Sequence, residues 1–192
     1  MTTIGASQVN WFATPGPEHL VQFYPHESEL LTSLEEFIGT GLTNGETCIV
    51  IATERHIQQL DARLTLSKID VSAAIAEGRY ITLNAVTLLE SFMVKGMPDQ
   101  KRFLEVVEPM VAQATKRGKP ARAFGEMVAL LWKDGNRDAV IRLEDLWNKL
   151  ARTHEFSLYC AYPELHFLTN LDMIDEIRGC HRLSIPSLSP SL

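Results

Sequence analysis

A three-layer α/β/α domain around a mainly parallel sheet is the fold class this sequence predicts, on three observations. Short β-prone runs alternate with segments of 3.6-residue periodicity, the order expected of strand–helix–strand units. The first such run, Cys48-Ile-Val-Ile-Ala52, is continuously apolar, as a strand buried on both faces must be. A length of 192 residues, 45% of them hydrophobic and 22% charged, suits one domain that buries a core without disulfides or a structural metal.

The elements follow in order. Residues 1–16 carry Thr, Gly and Pro and read as an irregular arm, with Trp11 and Phe12 able to pin it to the body. Leu30, Leu34, Phe37, Ile38 and Leu42 make the stripe of a first helix, with Ser28 as its N-cap. The turn Thr43-Asn44-Gly45 leads into the apolar strand 48–52, and Thr53 is placed to cap the next helix, whose face is Ile57, Leu60 and Leu64. A second strand, Tyr80–Asn84, follows Gly78. From Asp99 to Lys116, Phe103, Val107, Met110, Val111 and Ala114 share one side, while Pro109 predicts a kink or break. The strand Ala121–Gly125 follows the Gly118–Pro120 turn. Ala139, Leu143, Leu146, Trp147 and Leu150 form the clearest helical stripe, before a last strand, Ser157–Ala161, that ends at Tyr162-Pro163. Residues 183–192 carry Ser and Pro without period and read as a loose tail. No internal repeat is evident.

Bulk properties exclude several function classes. A net charge of −6, from 18 basic and 24 acidic residues with no Lys/Arg run, argues against direct binding of nucleic acid. No secretory leader and no run of about 20 apolar residues are present, so no membrane association is expected. Cys48, Cys160 and Cys180 are too few and too scattered for a disulfide framework, which fits a reducing cytoplasm.

In open parallel sheets ligands bind just beyond the carboxyl ends of the strands. That rule selects Thr53 and Glu54, Asn84, Gly125 and Glu126, and Tyr162. A phosphate-binding loop needs glycines followed by Lys and Ser/Thr, so that backbone N–H groups and an ammonium cradle the anion. The first strand instead runs into Thr53-Glu54-Arg55-His56, with no glycine, no lysine and a carboxylate beside any phosphate. Ordinary ATPase chemistry is not expected. Glu126 has two readings: it accepts hydrogen bonds from a ligand or holds a cation, or it serves the N-terminus of the following helix. His19 and Tyr24, in His19-Leu-Val-Gln-Phe-Tyr24, can wall an apolar pocket with polar handles, whereas Phe23 reads as core. Glu144, next to an apolar stripe, reads as a solvent salt bridge or as a buried polar group. The six histidines and three cysteines show none of the usual metal-ligand spacings, so no metal is expected, a site assembled from distant segments being the one route left to it; Cys160 reads as packing rather than as a nucleophile. No Gly-x-Ser-x-Gly elbow is present.

Several segments, taken together and in order, resemble a known family. They are His19–Tyr24, Gly41-Leu-Thr-Asn-Gly-Glu46, Phe124-Gly-Glu-Met-Val128, Leu143-Glu-Asp-Leu-Trp-Asn148, Tyr159-Cys-Ala-Tyr-Pro163, and Ile177-Arg-Gly-Cys-His181 followed by Ile185-Pro186. These resemble the MEDS domain, the methanogen/methylotroph sensory domain of a dichloromethane-responsive regulator, over about residues 17–186. The resemblance implies a fold related to RecA and the circadian-clock ATPases, a P-loop NTPase fold lacking its P-loop, with the domain proper at 17–182. It implies sensing of a small molecule, with hydrocarbon derivatives as candidates, and fusion to histidine kinase or DNA-binding modules. This chain has no room for either, so the expected output is a separate signalling protein, such as a histidine kinase or transcription regulator in trans, or self-association as a homo-oligomer.

The leading expectation is therefore a non-catalytic ligand-binding module without a cofactor. Its small-molecule ligand sits in the strand-end crevice, with His19, Tyr24, Thr53, Glu126, Glu144 and Tyr162 as the site residues. The alternatives are a degenerate nucleotide-binding or metal-dependent enzyme that uses Glu126, and a ligand-free interaction scaffold.

Overall fold

Side-chain alternation along the strands decides which helices cover which face of the sheet. The computed structural model describes residues 17–116, 118, 120–164 and 171–185. Strands β1 (His19–Tyr24), β2 (Thr47–Ala52), β3 (Tyr80–Asn84), β6 (Ala121–Gly125), β7 (Phe156–Pro163) and β8 (Leu183–Ile185) form one sheet in the order β3-β2-β6-β7-β1-β8, parallel at every pairing. Ile49 and Ile51 of β2, Val21 and Phe23 of β1, and Leu158, Cys160 and Tyr162 of β7 point to one face. Cys48, Val50, Leu20, Tyr24, Tyr159 and Ala161 point to the other.

The second face is covered by α1 (Glu27–Thr43), α2 (Glu54–Leu66) and α3 (Val71–Ala76). The first is covered by α4 (Ala85–Phe92), α5 (Gln100–Thr115), α6 (Met127–Lys133), α7 (Arg137–Ala151) and α8 (Leu171–Cys180). The result is the expected three-layer α/β/α architecture. A short antiparallel hairpin, β4 (Met93–Val94) with β5 (Met97–Pro98), links α4 to α5. Among the described residues no helix is long and apolar enough to cross a membrane.

Several expectations need correction. His19–Tyr24, which carried no secondary-structure expectation, is a strand between β7 and β8 with all six residues buried. Its polar Gln22 is satisfied inside the core, donating to Ser33 and accepting from the Tyr159 hydroxyl. The N-cap of α1 is His26 rather than Ser28. Pro109 lies inside an uninterrupted α5: neither a break nor a second helix appears. Leu183–Ile185, read as the start of a loose tail, adds to β1 as an edge strand because Arg182 N–H bonds to the His19 carbonyl and sets the register. The N-terminal arm, including Trp11 and Phe12, and the remainder of the tail lie outside the described residues.

A buried ion pair locks α1 to the sheet. Arg122 of β6 donates through Nε to Glu46 (2.6 Å) and through Nη1 to the carbonyl of Phe37 in α1 (3.1 Å). The close approach needs Gly41 on α1, where an added Cβ would stand 2.7 Å from Cys48 Sγ and 2.8 Å from Arg122 Cδ. Alanine favours helices over glycine by about 1 kcal/mol, but overpacking a filled core typically costs ~1–3 kcal/mol. Gly41→Ala should therefore lower the denaturation midpoint; a rise would show that Cys48 and Arg122 yield freely.

Candidate functional site

The chain leaves β2 for β3 on one side and leaves β6 for β7 on the other. The topological switch point, where open sheets bind ligands, thus lies between the carboxyl ends of β2 and β6. Thr53 and Glu126 stand at that point. Glu126 Oε2 accepts the Thr53 backbone N–H at 2.7 Å, at the N-terminus of α2, where a phosphate-binding fold would hold its anion. The Glu126 backbone N–H in turn bonds to the Ile51 carbonyl. Glu126 stands at the N-cap position of α6, as one of its two readings has it, but makes no side-chain cap hydrogen bond there and turns its carboxylate to the N-terminus of α2.

His56, in the first turn of α2, completes this group. Its Nδ1 lies 2.8 Å from Glu126 Oε1 and its Nε2 lies 2.6 Å from Glu27 Oε1. Both partners are carboxylate oxygens, so both ring nitrogens must donate and the ring is an imidazolium. Burial acts to lower the His56 pKa, but hydrogen bonds and charge from Glu126 and Glu27 outweigh it, and the net shift is upward. Tyr24, at the end of β1, has its hydroxyl held well above the ordinary value, first by burial and then by the charges of Glu126 and Glu27.

A second polar group lies under α7 on the opposite face of the sheet. Glu144 of α7 has no exposed surface. Around its carboxylate are His19 Nε2 (3.3 Å), Cys160 Sγ (3.8 Å), the Tyr162 hydroxyl (2.5 Å) and His181 Nε2 (3.3 Å). Local periodicity accounts for part of the convergence: Cys160 and Tyr162 are two apart on a strand and share a face, and Glu144 and Asn148 are one turn apart on a helix. Burial acts to raise the Glu144 pKa, and the facing imidazoles of His181 and His19 outweigh it, so the carboxyl sits well below the usual range. Burial and then the Glu144 charge push the Cys160 thiol and the Tyr162 phenol well above their ordinary values, so neither is an activated nucleophile.

A cavity of about 650 Å³ opens beside this group, at the amino ends of β1 and β7, between α7 and the end of α8. Ile141, Ala151, Phe156 and Leu158 supply apolar lining, His19, Asn148 and His181 supply polar lining, and Glu18, Asp145, Arg152 and Arg182 add charged groups of both signs.

The site residues selected from the sequence therefore divide. Tyr24, Thr53 and Glu126 meet at the carboxyl edge, whereas His19, Glu144 and Tyr162 meet under α7. His19 and Tyr24 are the two ends of β1, about 17 Å apart at the usual strand rise of ~3.3 Å per residue, so they do not share one edge. Glu144 is not a solvent salt bridge but a fully buried acid. His56, Glu27, Asn148, Cys160 and His181 were not selected. Cys160 looked like packing on an apolar strand, and the partners that give these residues meaning are 16 to 141 positions away. For the same reason sequence spacing hid the grouping of His19, Glu144, Cys160 and His181, whose ligand-type atoms lie within 4.8 Å of one another.

Because the His56 pKa is raised on folding, its ion pairs stabilise the protein fully below the reference value of 6.5 and lose that effect as pH rises through the folded value. The melting-temperature difference between wild type and His56→Gln should be largest below the reference value of 6.5 and shrink as the pH is raised above it. A difference independent of pH would show that the imidazolium contributes nothing.

Comparison with known proteins follows the same lines. The chain resembles, in structure, the KaiC-like protein of the hyperthermophilic archaeon Pyrococcus horikoshii OT3, with a TM-score of 0.59 and 14% identity over 93% of this chain and 76% of that one. At that identity the likeness establishes the fold, which is RecA-like. No curated protein shows significant sequence similarity to the chain. The family model described as the methanogen/methylotroph, DcmR sensory domain matches residues 18–182, nearly the whole of the described structure. The chain belongs to the MEDS family of sensory domains.

Proposed function

We propose that this sensory domain binds a small, apolar to weakly polar organic molecule in the cavity at the amino ends of β1 and β7. Occupancy would be relayed to a separate regulator or kinase. The cavity carries the reading. Its volume of about 650 Å³ falls within the ~300–1,000 Å³ usual for small-molecule sites, and its lining combines apolar walls with polar groups and a charged part of Glu18, Asp145, Arg152 and Arg182. A hydrocarbon derivative with one polar substituent matches that lining, with Ile141, Ala151, Phe156 and Leu158 against the hydrocarbon and His19, Asn148 or His181 toward the polar end.

Two further features support a binding rather than a catalytic role. The helix N-terminus that would hold a phosphate is already occupied by Glu126 and flanked by Glu27, so a nucleotide would meet two carboxylates. Cys160 and Tyr162 are held in their neutral forms. The wall formed by Gly179–Arg182 connects α8 to the edge strand β8, so a ligand pressing on it acts on an edge of the sheet that a partner protein or a second copy can reach.

A panel of short halogenated alkanes, alcohols and carboxylates should contain a compound that raises the melting temperature. At about 100-fold excess over Kd the expected stabilisation is ~2.7 kcal/mol, or roughly 5–10 °C for a chain of this size. Ala151→Trp, which fills the cavity from α7, should fold and abolish the shift. If no compound shifts the melting temperature, or if the shift survives Ala151→Trp, the reading fails. ATP with Mg²⁺ should give no shift; one that disappears in Glu126→Gln would favour nucleotide binding instead.

A further inference from the structure

We propose that His19, Glu144, Cys160 and His181 form a binding site for a divalent transition-metal ion of the zinc class, in the wall of the cavity. The donors come from the start of β1, from α7, from β7 and from the residue that follows α8. Two imidazoles, a thiol sulfur and a carboxylate form the mixed N/S/O set that suits zinc-like ions; Mg²⁺ and Ca²⁺ require oxygen donors.

Around Glu144 their spacing approaches that of a coordination shell: His19 and Cys160 face one carboxylate oxygen, His181 faces the other, and the four donors lie within 4.8 Å of one another, so a bound ion would draw them together. With metal–N and metal–O bonds of ~2.0–2.1 Å and metal–S bonds of ~2.3 Å, the edges of a tetrahedron are about 3.3 Å between N or O donors and about 3.6 Å to sulfur. The observed separations are 3.3 Å (His19 Nε2 to Glu144 Oε2), 3.5 Å (His19 Nε2 to Cys160 Sγ), 3.8 Å (Cys160 Sγ to Glu144 Oε2) and 3.3 Å (His181 Nε2 to Glu144 Oε1). Charge-assisted hydrogen bonds between imidazolium and carboxylate would close to ~2.7–2.9 Å. Those at His56 do so, at 2.8 and 2.6 Å, whereas the two imidazole–Glu144 distances do not.

The surrounding hydrogen bonds aim both imidazoles correctly. Asn148 Nδ2 donates to the Cys180 carbonyl (2.9 Å), which turns Asn148 Oδ1 toward His19 Nδ1 (2.9 Å) and makes that nitrogen the donor. His181 Nδ1 donates to the Ile177 carbonyl (2.6 Å). With Nδ1 of each ring carrying a donated proton, Nε2 faces the cluster, an orientation characteristic of metal-bound histidine; a metal ion there would displace the second proton that Glu144 favours on His181. His181 Nε2 is buried and makes no hydrogen bond of good geometry, its polar neighbour being Glu144 Oε1 at 3.3 Å, a contact that a metal ion would improve on. The Tyr162 hydroxyl donates to Glu144 Oε1, the oxygen that faces His181, and leaves Oε2 to His19 and Cys160. A divalent ion that displaces the Cys160 proton, with one carboxylate, one thiolate and two neutral imidazoles, sums to zero charge, which favours it in a largely buried site. His19 and His181 line the cavity, so an ion has a route in.

The test begins with chelator-stripped, full-length protein and no organic ligand. Zn²⁺ addition followed by gel filtration and elemental analysis should recover about one equivalent per chain and raise the melting temperature, with no effect of Mg²⁺ or Ca²⁺. Co²⁺ in place of Zn²⁺ should give the visible bands of a tetrahedral ion and a near-ultraviolet thiolate-to-cobalt band. Cys160→Ser should remove the thiolate band, and Asn148→Ala, which leaves the donors in place, should weaken binding ~10–100-fold. Circular dichroism on each variant separates lost binding from lost folding. Wild-type protein that retains no Zn²⁺, or that binds Co²⁺ without a thiolate band, overturns the proposal. Neither result bears on the organic ligand, which is read by the separate thermal screen.

Discussion

A carboxylate with no exposed surface sits inside this domain, and much of the architecture on one face of the sheet is arranged around it. Glu144 occupies α7 among Leu143, Leu146 and Trp147, where an unpaired charge would cost several kcal/mol. It is tolerated because three other elements deliver four partners to it: the start of β1 brings His19, β7 brings Cys160 and Tyr162, and the end of α8 brings His181. The bond from Arg182 N–H to the His19 carbonyl then fixes β8 beside β1. The edge of the sheet and the polar cluster are consequently parts of one assembly. Asn148 ties them further by bridging His19 to the Cys180 carbonyl.

At the other end of the strands the same economy of charge has the opposite effect. The switch point between β2 and β6 is the crevice that a RecA-like fold presents to its ligand, and here the protein fills it with its own side chains. Glu126 takes the backbone N–H at the N-terminus of α2, and His56 bridges Glu126 to Glu27. An acid, a base and a second acid in contact leave little electrostatic reason for an outside anion to bind. The open cavity instead lies at the amino ends of β1 and β7, next to the Glu144 cluster.

How much of this was legible depended on the range of the interaction involved. The strands at 48–52, 80–84, 121–125 and 157–161 could be read because their apolar character is local, and the stripes of α1, α2, α5 and α7 because periodicity is local. The strand at 19–24 was harder, since His19 and Gln22 interrupt its apolar run; only Ser33, Tyr159 and Glu144, far along the chain, make them compatible with burial. Pro109 carried a true local penalty that its surroundings override: α5 buries Phe103, Val107, Val111 and Ala114 on both sides of it, and packing outweighs one lost hydrogen bond.

The sequence by itself determined the three-layer class, the family and the loss of a phosphate-binding loop, because each of these is written in neighbouring residues: a run, a stripe, or Thr53-Glu54-Arg55-His56 where glycine and lysine would be needed. Only the tertiary structure decided what the polar residues do. It separated His19 from Tyr24 by the length of a strand, turned Glu126 toward α2, buried Glu144, and gave Cys160 and His181 a shared partner. Charge burial is the physical reason, since a carboxylate's environment is set by which distant groups the fold brings within a few ångströms of it, and no local pattern records that.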